Sequence, residues 1–201
     1  MDKQTRQMDV AEEDVLRANV YGLLARLLSQ APDSETLRDL SDLQGDDSEF
    51  GAAVRNLAHA ATRASPEAVA DEYFNLFIGV GGSELRPYGS YYLTGFLNEK
   101  PLADLRHDMR QHGIERAQEV SETEDHIAAL CETMAGLITG AFGDPAGIED
   151  QRAFFESHIG CWAPRFFSDL EAAENASLYT PVGTIGRLFL DVEREAFAMA
   201  A

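Results

Sequence analysis

Apolar residues recur at every third or fourth position in one segment of the chain after another, which predicts helices with one buried face. No run alternates apolar and polar residues between hairpin turns, so the pattern predicts no strands. We therefore predict an all-α fold, a single-domain helical bundle that spans residues 1–201. The apolar stripes begin at Leu16, Leu37, Phe50, Val69, Leu102, Ile127, Phe154 and Val182.

Capping residues indicate where several of these helices begin and end. The third helix is predicted to begin near Asp47 or Ser48. Ser65 and the following Pro66 form an N-cap with proline at the first helical position. Gly79 is predicted to close that helix, because glycine readily adopts the conformation that ends one.

The segment from Ser121 to Ile127 crowds three carboxylates and a histidine together. Ser121 with Glu124 has the spacing of a capping box, which predicts a helix that starts at Ser121. In such a helix Glu122 and His126 share one face, and Asp125 lies near its exposed end. Acidic residues in a first turn also simply complement the helix dipole. A cation is disfavoured there, so His126 is expected to be neutral or held by a carboxylate.

A long glycine-rich segment, residues 79–100, separates two of the predicted helices. Long ordered loops in compact bundles are often functional, and we expect a hinge around residues 79–89. Two interpretations stay open for four aromatic residues of this segment: they line an adaptable binding surface, or they pack on the core. These residues are Tyr88, Tyr91, Tyr92 and Phe96.

The charge of the chain is strongly one-sided, with 35 acidic and 16 basic residues and a net charge of −19. Such a surface repels nucleic acid and anionic membranes, so neither is an expected partner. It attracts cationic peptides and speeds their capture. The alternative is that the acidity serves solubility only.

No apolar run approaches the ~20 residues that span a bilayer, and the first 15 residues lack the apolar region of a secretory signal. Cys131 and Cys161 lie in apolar stripes, which predicts buried thiols in a reducing compartment. No CxxC or paired histidine spacing is present, so no metal or other cofactor is predicted. Together these features predict a cytoplasmic protein.

Four motifs, in order along the chain, resemble the TorD/DmsD family of redox-enzyme maturation chaperones. Residues 72–82 are similar to its Y-x-x-L-F-x-G-x-G signature, and a P-x-x-S-x-Y pattern follows at residues 87–92. Residues 122–127 resemble its E-P-x-D-H-I motif, with Thr123 in place of proline. The late pattern Q-x-x-F-F-x-x-H-x-x-x-W is similar to residues 151–162.

The resemblance implies an all-helical chaperone that binds the twin-arginine signal peptide of a molybdenum-cofactor enzyme and holds the precursor until the cofactor is inserted. It points to a formate dehydrogenase, or a dimethyl sulfoxide or trimethylamine N-oxide reductase, as client. It also implies a monomer or a domain-swapped dimer. The peptide-binding residues implied are Tyr73, Phe77, Pro87, Tyr88, Ser90, Tyr92, Glu122, Asp125 and His126.

The resemblance also agrees with the chemistry of the residues. Arginine pairs bidentately with carboxylates, which Glu122 and Asp125 supply, and an apolar peptide run requires a groove. Of the four aromatic residues of the glycine-rich segment, Tyr92 occupies the family position and is expected to be the most buried.

Two other functions compete with the chaperone. A small helical enzyme would use Asp125 and His126 as an acid/base pair, but it also needs a nucleophile or metal, and none lies nearby in the sequence. A di-iron bundle requires Glu-x-x-His pairs, and the chain has none. A nucleotide-binding role lacks a phosphate loop.

Overall fold

The computed structural model of the chain describes residues 11–80, 82–115 and 122–200. These ranges form ten α-helices and two short π-helical segments, Phe74–Ile78 and Phe155–Ile159, and they contain no strand. The all-α prediction is confirmed. The helices are α1 (Glu12–Ser29), α2 (Ser34–Ser41), α3 (Glu49–Arg63), α4 (Pro66–Tyr73), α5 (Gly89–Thr94), α6 (Lys100–Gln111), α7 (Ile127–Thr139), α8 (Ile148–Phe154), α9 (Ala163–Glu171) and α10 (Tyr179–Met199).

One contiguous hydrophobic core joins the helices. α7 packs along α1, and α10 packs along α9 and α3. Tyr21 of α1 meets Phe189 of α10 edge to face, with ring centroids 4.7 Å apart. Aromatic pairs in this geometry add to the stabilisation that burial alone provides.

A buried ion pair also ties the two ends of the chain together. The Glu193 side chain is 1% exposed and accepts hydrogen bonds from Arg17 Nε at 2.7 Å and from the Tyr21 hydroxyl at 3.1 Å. Arg17 also donates to Gln151 of α8 at 3.0 Å. Because every charge in this cluster has a partner, the cost of burying Glu193 is offset.

The helix ends follow the capping residues. Ser48 accepts a hydrogen bond from the Gly51 amide, and Ser65 accepts one from Ala68, with Pro66 at the start of α4. Gly79 ends the segment that continues α4, with a φ of +50°. These boundaries confirm the sequence prediction.

The predicted helix start at Ser121 is wrong. α7 begins at Ile127, and His126 is its N-cap. Residues 123–126 form a turn instead, closed by a 3.0 Å bond from the His126 amide to the Thr123 carbonyl. Ser121 lies outside the described residues, and Glu124 pairs with Arg106 of α6 at 2.7 Å. Glu122 and His126 therefore do not share a helix face.

The sequence pattern also missed two helices. α5 lies inside the glycine-rich segment, residues 79–100, and α9 begins at Ala163, between the predicted stripes that start at Phe154 and Val182. Proline in the first turn of α9 starts this helix. Cys131 is buried as predicted, but Cys161 is exposed, since it faces away from the core.

Within the described residues, no helix is both long enough and apolar enough to cross a membrane.

Candidate functional site

Two motifs that are 35 residues apart in the sequence dock against each other. Residues 87–90, here called the strap, lie alongside residues 122–127 through an isolated antiparallel bridge between Tyr88 and His126. The Gly89 amide donates to the Asp125 carbonyl at 2.9 Å, and the Ile127 amide donates to the Pro87 carbonyl at 2.9 Å. Pro87 is buried in this contact. The strap and the turn before α7 therefore form one structural unit.

The Asp125 side chain holds this unit together. It is 3% exposed, which corrects the expected position at an exposed helix end. One carboxylate oxygen accepts from the Ser90 amide at 2.8 Å, and the other accepts from the Thr123 hydroxyl at 2.6 Å. Hydrogen bonds to a carboxylate are stronger than those between neutral groups. Thr123, which stands in place of the family's proline, therefore supplies a hydrogen bond that proline lacks.

His126 caps α7 with its ring. Its Nδ1 accepts a hydrogen bond from the Ala128 amide at 3.2 Å, and the residue is 5% exposed. Burial lowers the pKa of His126 from its ordinary value of 6.5 to about 4, against the opposing effect of the Glu122 and Asp125 charges. A neutral ring with an unprotonated Nδ1 is also what the cap requires. Neutral His126 is one of the two states expected from the sequence.

Glu122 is the exposed carboxylate of the site. The Tyr88 hydroxyl donates a hydrogen bond to it, and the Tyr88 ring meets the His126 ring edge to face at 5.1 Å. Burial and the hydrogen bond to Glu122 raise the pKa of Tyr88 well above its usual range. Tyr88 of the strap and the Glu122 carboxylate therefore lie side by side at the surface.

Tyr73 and Phe77 are far from Glu122 in the sequence. The fold nevertheless brings Tyr73 near enough to this carboxylate for its charge to affect the tyrosine. Burial, with a smaller effect of the Glu122 charge, raises the pKa of Tyr73 to about 12. The Tyr73 hydroxyl donates to the Leu28 carbonyl at 3.2 Å, and its ring packs on Phe77 at 5.0 Å. Both side chains are half-buried against the core.

Ser90 and Tyr92 face the other side of the strap. Ser90 is fully buried, and its hydroxyl oxygen has no hydrogen-bond partner among the described residues. The Tyr92 hydroxyl donates to Asp169 of α9 at 2.9 Å, and its ring packs 5.4 Å from that of Trp162. Tyr92 therefore anchors α5 to α9, as expected of a structural residue.

A pocket of about 320 Å³ opens between α5, α6 and the segment that precedes α9. We call it the α5–α6 pocket. Asp104 and Asp108, one turn apart on α6, lie among apolar side chains in its wall, and Asp108 also pairs with His158 at 2.8 Å. Its lining includes Gly89, Leu93, Pro101, Leu105, Asp125, Leu130 and Trp162.

Sequence reasoning missed both aspartates of this pocket as site residues. The only signal was their spacing of four residues on a predicted helix, which is also typical of a solvated face. Three large apolar residues beside the pocket are exposed: Leu93, Leu97 and, at 69%, Phe96. Exposed apolar residues next to a pocket are characteristic of binding surfaces.

Asp125 and His126 are not arranged as an acid/base pair. Asp125 and His126 form no hydrogen bond with each other, and each is occupied by a structural contact. In the part of the chain that the structure describes, no group of three or more histidine, cysteine, aspartate or glutamate residues is arranged to hold a metal ion.

The described residues form an all-helical bundle in which two of the sequence motifs dock as one structural unit. The chain matches the family model described as "Nitrate reductase delta subunit" over residues 43–168, which is more than half of its length. The chain therefore belongs to this family, which includes the TorD chaperones.

Individual relatives agree with this assignment. The chain is similar to "Chaperone protein TorD" of Photobacterium profundum, with 28% identity over 188 residues that cover 82% of this chain and 86% of that protein. It is 24% identical over 206 residues to the protein of the same name in Vibrio atlanticus, covering 90% of this chain and 94% of that one. These relatives are chaperones, which confirms the family resemblance and the expectation of a non-enzyme.

A solved structure shares the fold. It is described as a putative redox enzyme maturation protein from Archaeoglobus fulgidus and superposes with a TM-score of 0.58 at 21% identity. The match covers 88% of this chain and 94% of that one.

Proposed function

We propose that the chain is a cytoplasmic chaperone that binds the twin-arginine signal peptide of a molybdenum-cofactor oxidoreductase and holds the precursor until the cofactor is inserted, before export. Membership of the TorD family supports the chaperone role. The net charge of −19 supports a cationic ligand, because long-range attraction speeds the capture of a positively charged peptide.

The observation that carries the proposal is the exposed Glu122 carboxylate beside Tyr88. A guanidinium group pairs with a carboxylate through two parallel hydrogen bonds. The Tyr88 hydroxyl orients one carboxylate oxygen, which leaves lone pairs for an arginine that approaches from solvent. The Tyr88 ring lies beside this carboxylate, where it can contact the aliphatic stem of that arginine.

The α5–α6 pocket supplies a surface for the apolar run that follows the arginines. Asp125 lines this pocket, and Glu122 precedes it by three residues, a separation of at most about 11 Å between their Cα atoms. A peptide of four or five residues bridges that distance. Leu93 and Phe96 extend the apolar surface beyond the pocket, and Asp104 and Asp108 supply further negative charge.

Asp125, His126, Pro87 and Ser90 act in this proposal by positioning the strap. Their side chains are buried. The Asp125 carboxylate accepts from the Ser90 amide and the His126 ring meets the Tyr88 ring edge to face, and both contacts dock residues 87–90 against residues 122–127. They therefore influence the peptide through Tyr88 and Glu122. Tyr92 anchors α5, which begins within the strap, to α9, and Tyr73 and Phe77 pack against each other on the core.

The family relationship leaves several clients open, and we keep a formate dehydrogenase as first choice and a dimethyl sulfoxide or trimethylamine N-oxide reductase as the alternative. No step of the proposal requires a bound cofactor. The chain acts as a single helical unit, and either a monomer or a dimer swapped at residues 79–89 presents the strap.

A peptide-binding measurement tests the proposal. Fluorescence anisotropy of a labelled twin-arginine peptide is expected to give saturable binding, and a peptide with both arginines replaced by glutamine should bind at least about tenfold more weakly. A third peptide that keeps the arginines and replaces the apolar run with serine and glycine reports the contribution of the pocket. If the three peptides bind alike, or none binds, the proposal fails.

A further inference from the structure

The cations of this acidic chain are unevenly partnered. Most arginines in the described ranges pair with a carboxylate or bond to a backbone carbonyl, which is expected where acids outnumber bases by 35 to 16. Four arginines of the described residues, Arg63, Arg86, Arg110 and Arg165, form no ion pair and donate no hydrogen bond, and of these Arg86 and Arg165 line the same pocket. The paired cations are Arg17, Arg26, Lys100, Arg106, Arg152, Arg187 and Arg194.

Arg86 and Arg165 line one pocket, distinct from the α5–α6 pocket. It has a volume of about 470 Å³ and lies between residues 83–86, α5 and α9. The Arg86 guanidinium lies over the ring of Tyr91, 4.9 Å from its centroid. Stacking of this kind holds the planar group in place, and the N–H groups at its edge remain free to donate.

Two acidic side chains also line this pocket, but both are engaged elsewhere. The Glu84 carboxylate accepts from the Glu174 amide at 2.7 Å and from Asn175 Nδ2 at 2.7 Å. Asp169 accepts from the Tyr92 hydroxyl at 2.9 Å. Neither carboxylate lies within 4.0 Å of a guanidinium nitrogen, so within the described residues the donors of Arg86 and Arg165 stay unused.

We propose that this pocket binds a small ligand through an oxyanion group, a carboxylate or a phosphate, held by Arg86 and Arg165. The planar guanidinium matches both groups in geometry, and two arginines supply more donors than either oxyanion needs. The volume is in the range of small-molecule sites, and Ser83 and the Tyr92 ring lie in the same wall.

The site is independent of peptide binding, because it uses no residue of the Tyr88–Glu122 surface. The α5–α6 pocket and the Arg86–Arg165 pocket lie on opposite faces of α5. Gly89 and Leu93 line the first, whereas Tyr91 and Gly95 line the second. A cationic peptide and an anionic ligand therefore do not compete for the same residues.

Calorimetry of the full chain with inorganic pyrophosphate and with citrate, each at constant ionic strength, tests the proposal. We expect saturable binding of at least one anion, weakened about tenfold or more in the double variant Arg86→Gln/Arg165→Gln. Both arginines are exposed and make no hydrogen bond, so this variant should fold. Stronger binding of pyrophosphate assigns a phosphate ligand, and stronger binding of citrate assigns a carboxylate.

The matched control is Arg38→Gln/Arg194→Gln, which removes the same charge from exposed positions on α2 and α10. It should bind the anion as the unmodified chain does. An equal loss in both double variants would reveal a general charge effect and overturn the proposal, as would the absence of saturable binding of either anion.

Discussion

At the scale of single residues, Asp125 and His126 have structural roles that the helix pattern of the sequence does not predict. Asp125 binds the Ser90 amide, and His126 caps α7. Periodicity identified the buried stripe of α7 correctly. It could not locate the start of the helix, because the Asp125 carboxylate and the His126 ring bond to groups that only the folded chain brings near. The family resemblance selected these residues, but their geometry depends on the strap.

His126 makes the stability of the protein depend on pH. Its pKa is about 4 in the folded chain and 6.5 ordinarily, so between these values the unfolded chain binds a proton that the folded chain does not. The free energy of unfolding is therefore unaffected by protonation of His126 above pH 6.5, and it decreases by up to about 3 kcal/mol as the pH falls towards 4. His126→Asn keeps a capping side chain that does not titrate.

Urea unfolding of both proteins from pH 4 to pH 7 measures this difference. The free energy of unfolding of the unmodified chain should fall relative to that of His126→Asn as the pH decreases. Parallel curves would mean that His126 is protonated alike in the folded and unfolded states.

Replacing Asp125 should lower the free energy of unfolding by more than replacing a residue at an exposed helix end would, because Asp125 is buried. Asp125→Ala leaves the Ser90 amide buried without an acceptor and removes a charge-assisted bond, which should cost about 3 kcal/mol. Asp125→Asn keeps an oxygen for Ser90 and can donate to Thr123, so it should cost about 1 kcal/mol. Denaturant unfolding at pH 7 compares them, and an alanine variant as stable as the unmodified chain would contradict the assigned role.

At the scale of secondary-structure elements, capping residues allowed the boundaries at Ser48, Ser65 and Gly79 to be predicted. α5 was missed because six residues that begin with glycine carry too short a pattern to distinguish a helix from a loop. Its conformation depends on tertiary contacts, chiefly those of Tyr92 with Trp162 and Asp169. The α5–α6 pocket was missed because its wall combines side chains that are far apart in the sequence, from α5, α6, α7 and the segment that precedes α9.

Tyr92 and Phe96 should therefore respond oppositely to truncation. Tyr92→Ala removes the anchor of α5 and should lower the free energy of unfolding by ~2 kcal/mol or more. Phe96 is exposed, so Phe96→Ala should leave stability nearly unchanged and weaken peptide binding. Thermal unfolding and peptide titration of both variants provide the comparison. A strongly destabilised Phe96→Ala would place that ring in the core instead.

At the scale of the whole molecule, the net charge of −19 should govern how fast a cationic peptide associates. The Debye length falls from about 10 Å at 0.1 M ionic strength to about 3 Å at 1 M, so the association rate should fall steeply over that range. Stopped-flow fluorescence measures this rate directly. A rate that is indifferent to salt would reduce the acidic surface to a solubility feature.

The most direct test of the account is a double-mutant cycle between Glu122 of the chain and the arginines of the peptide. Glu122→Gln removes one charge from an exposed side chain, and Glu195→Gln on α10 is the matched control. Calorimetry of each protein with the twin-arginine peptide and with its glutamine analogue gives the coupling energy. We predict a coupling of about 1.5 kcal/mol or more for Glu122 and none for Glu195. A coupling near zero for Glu122, with the peptide still bound, would contradict the claim that this carboxylate receives an arginine of the client.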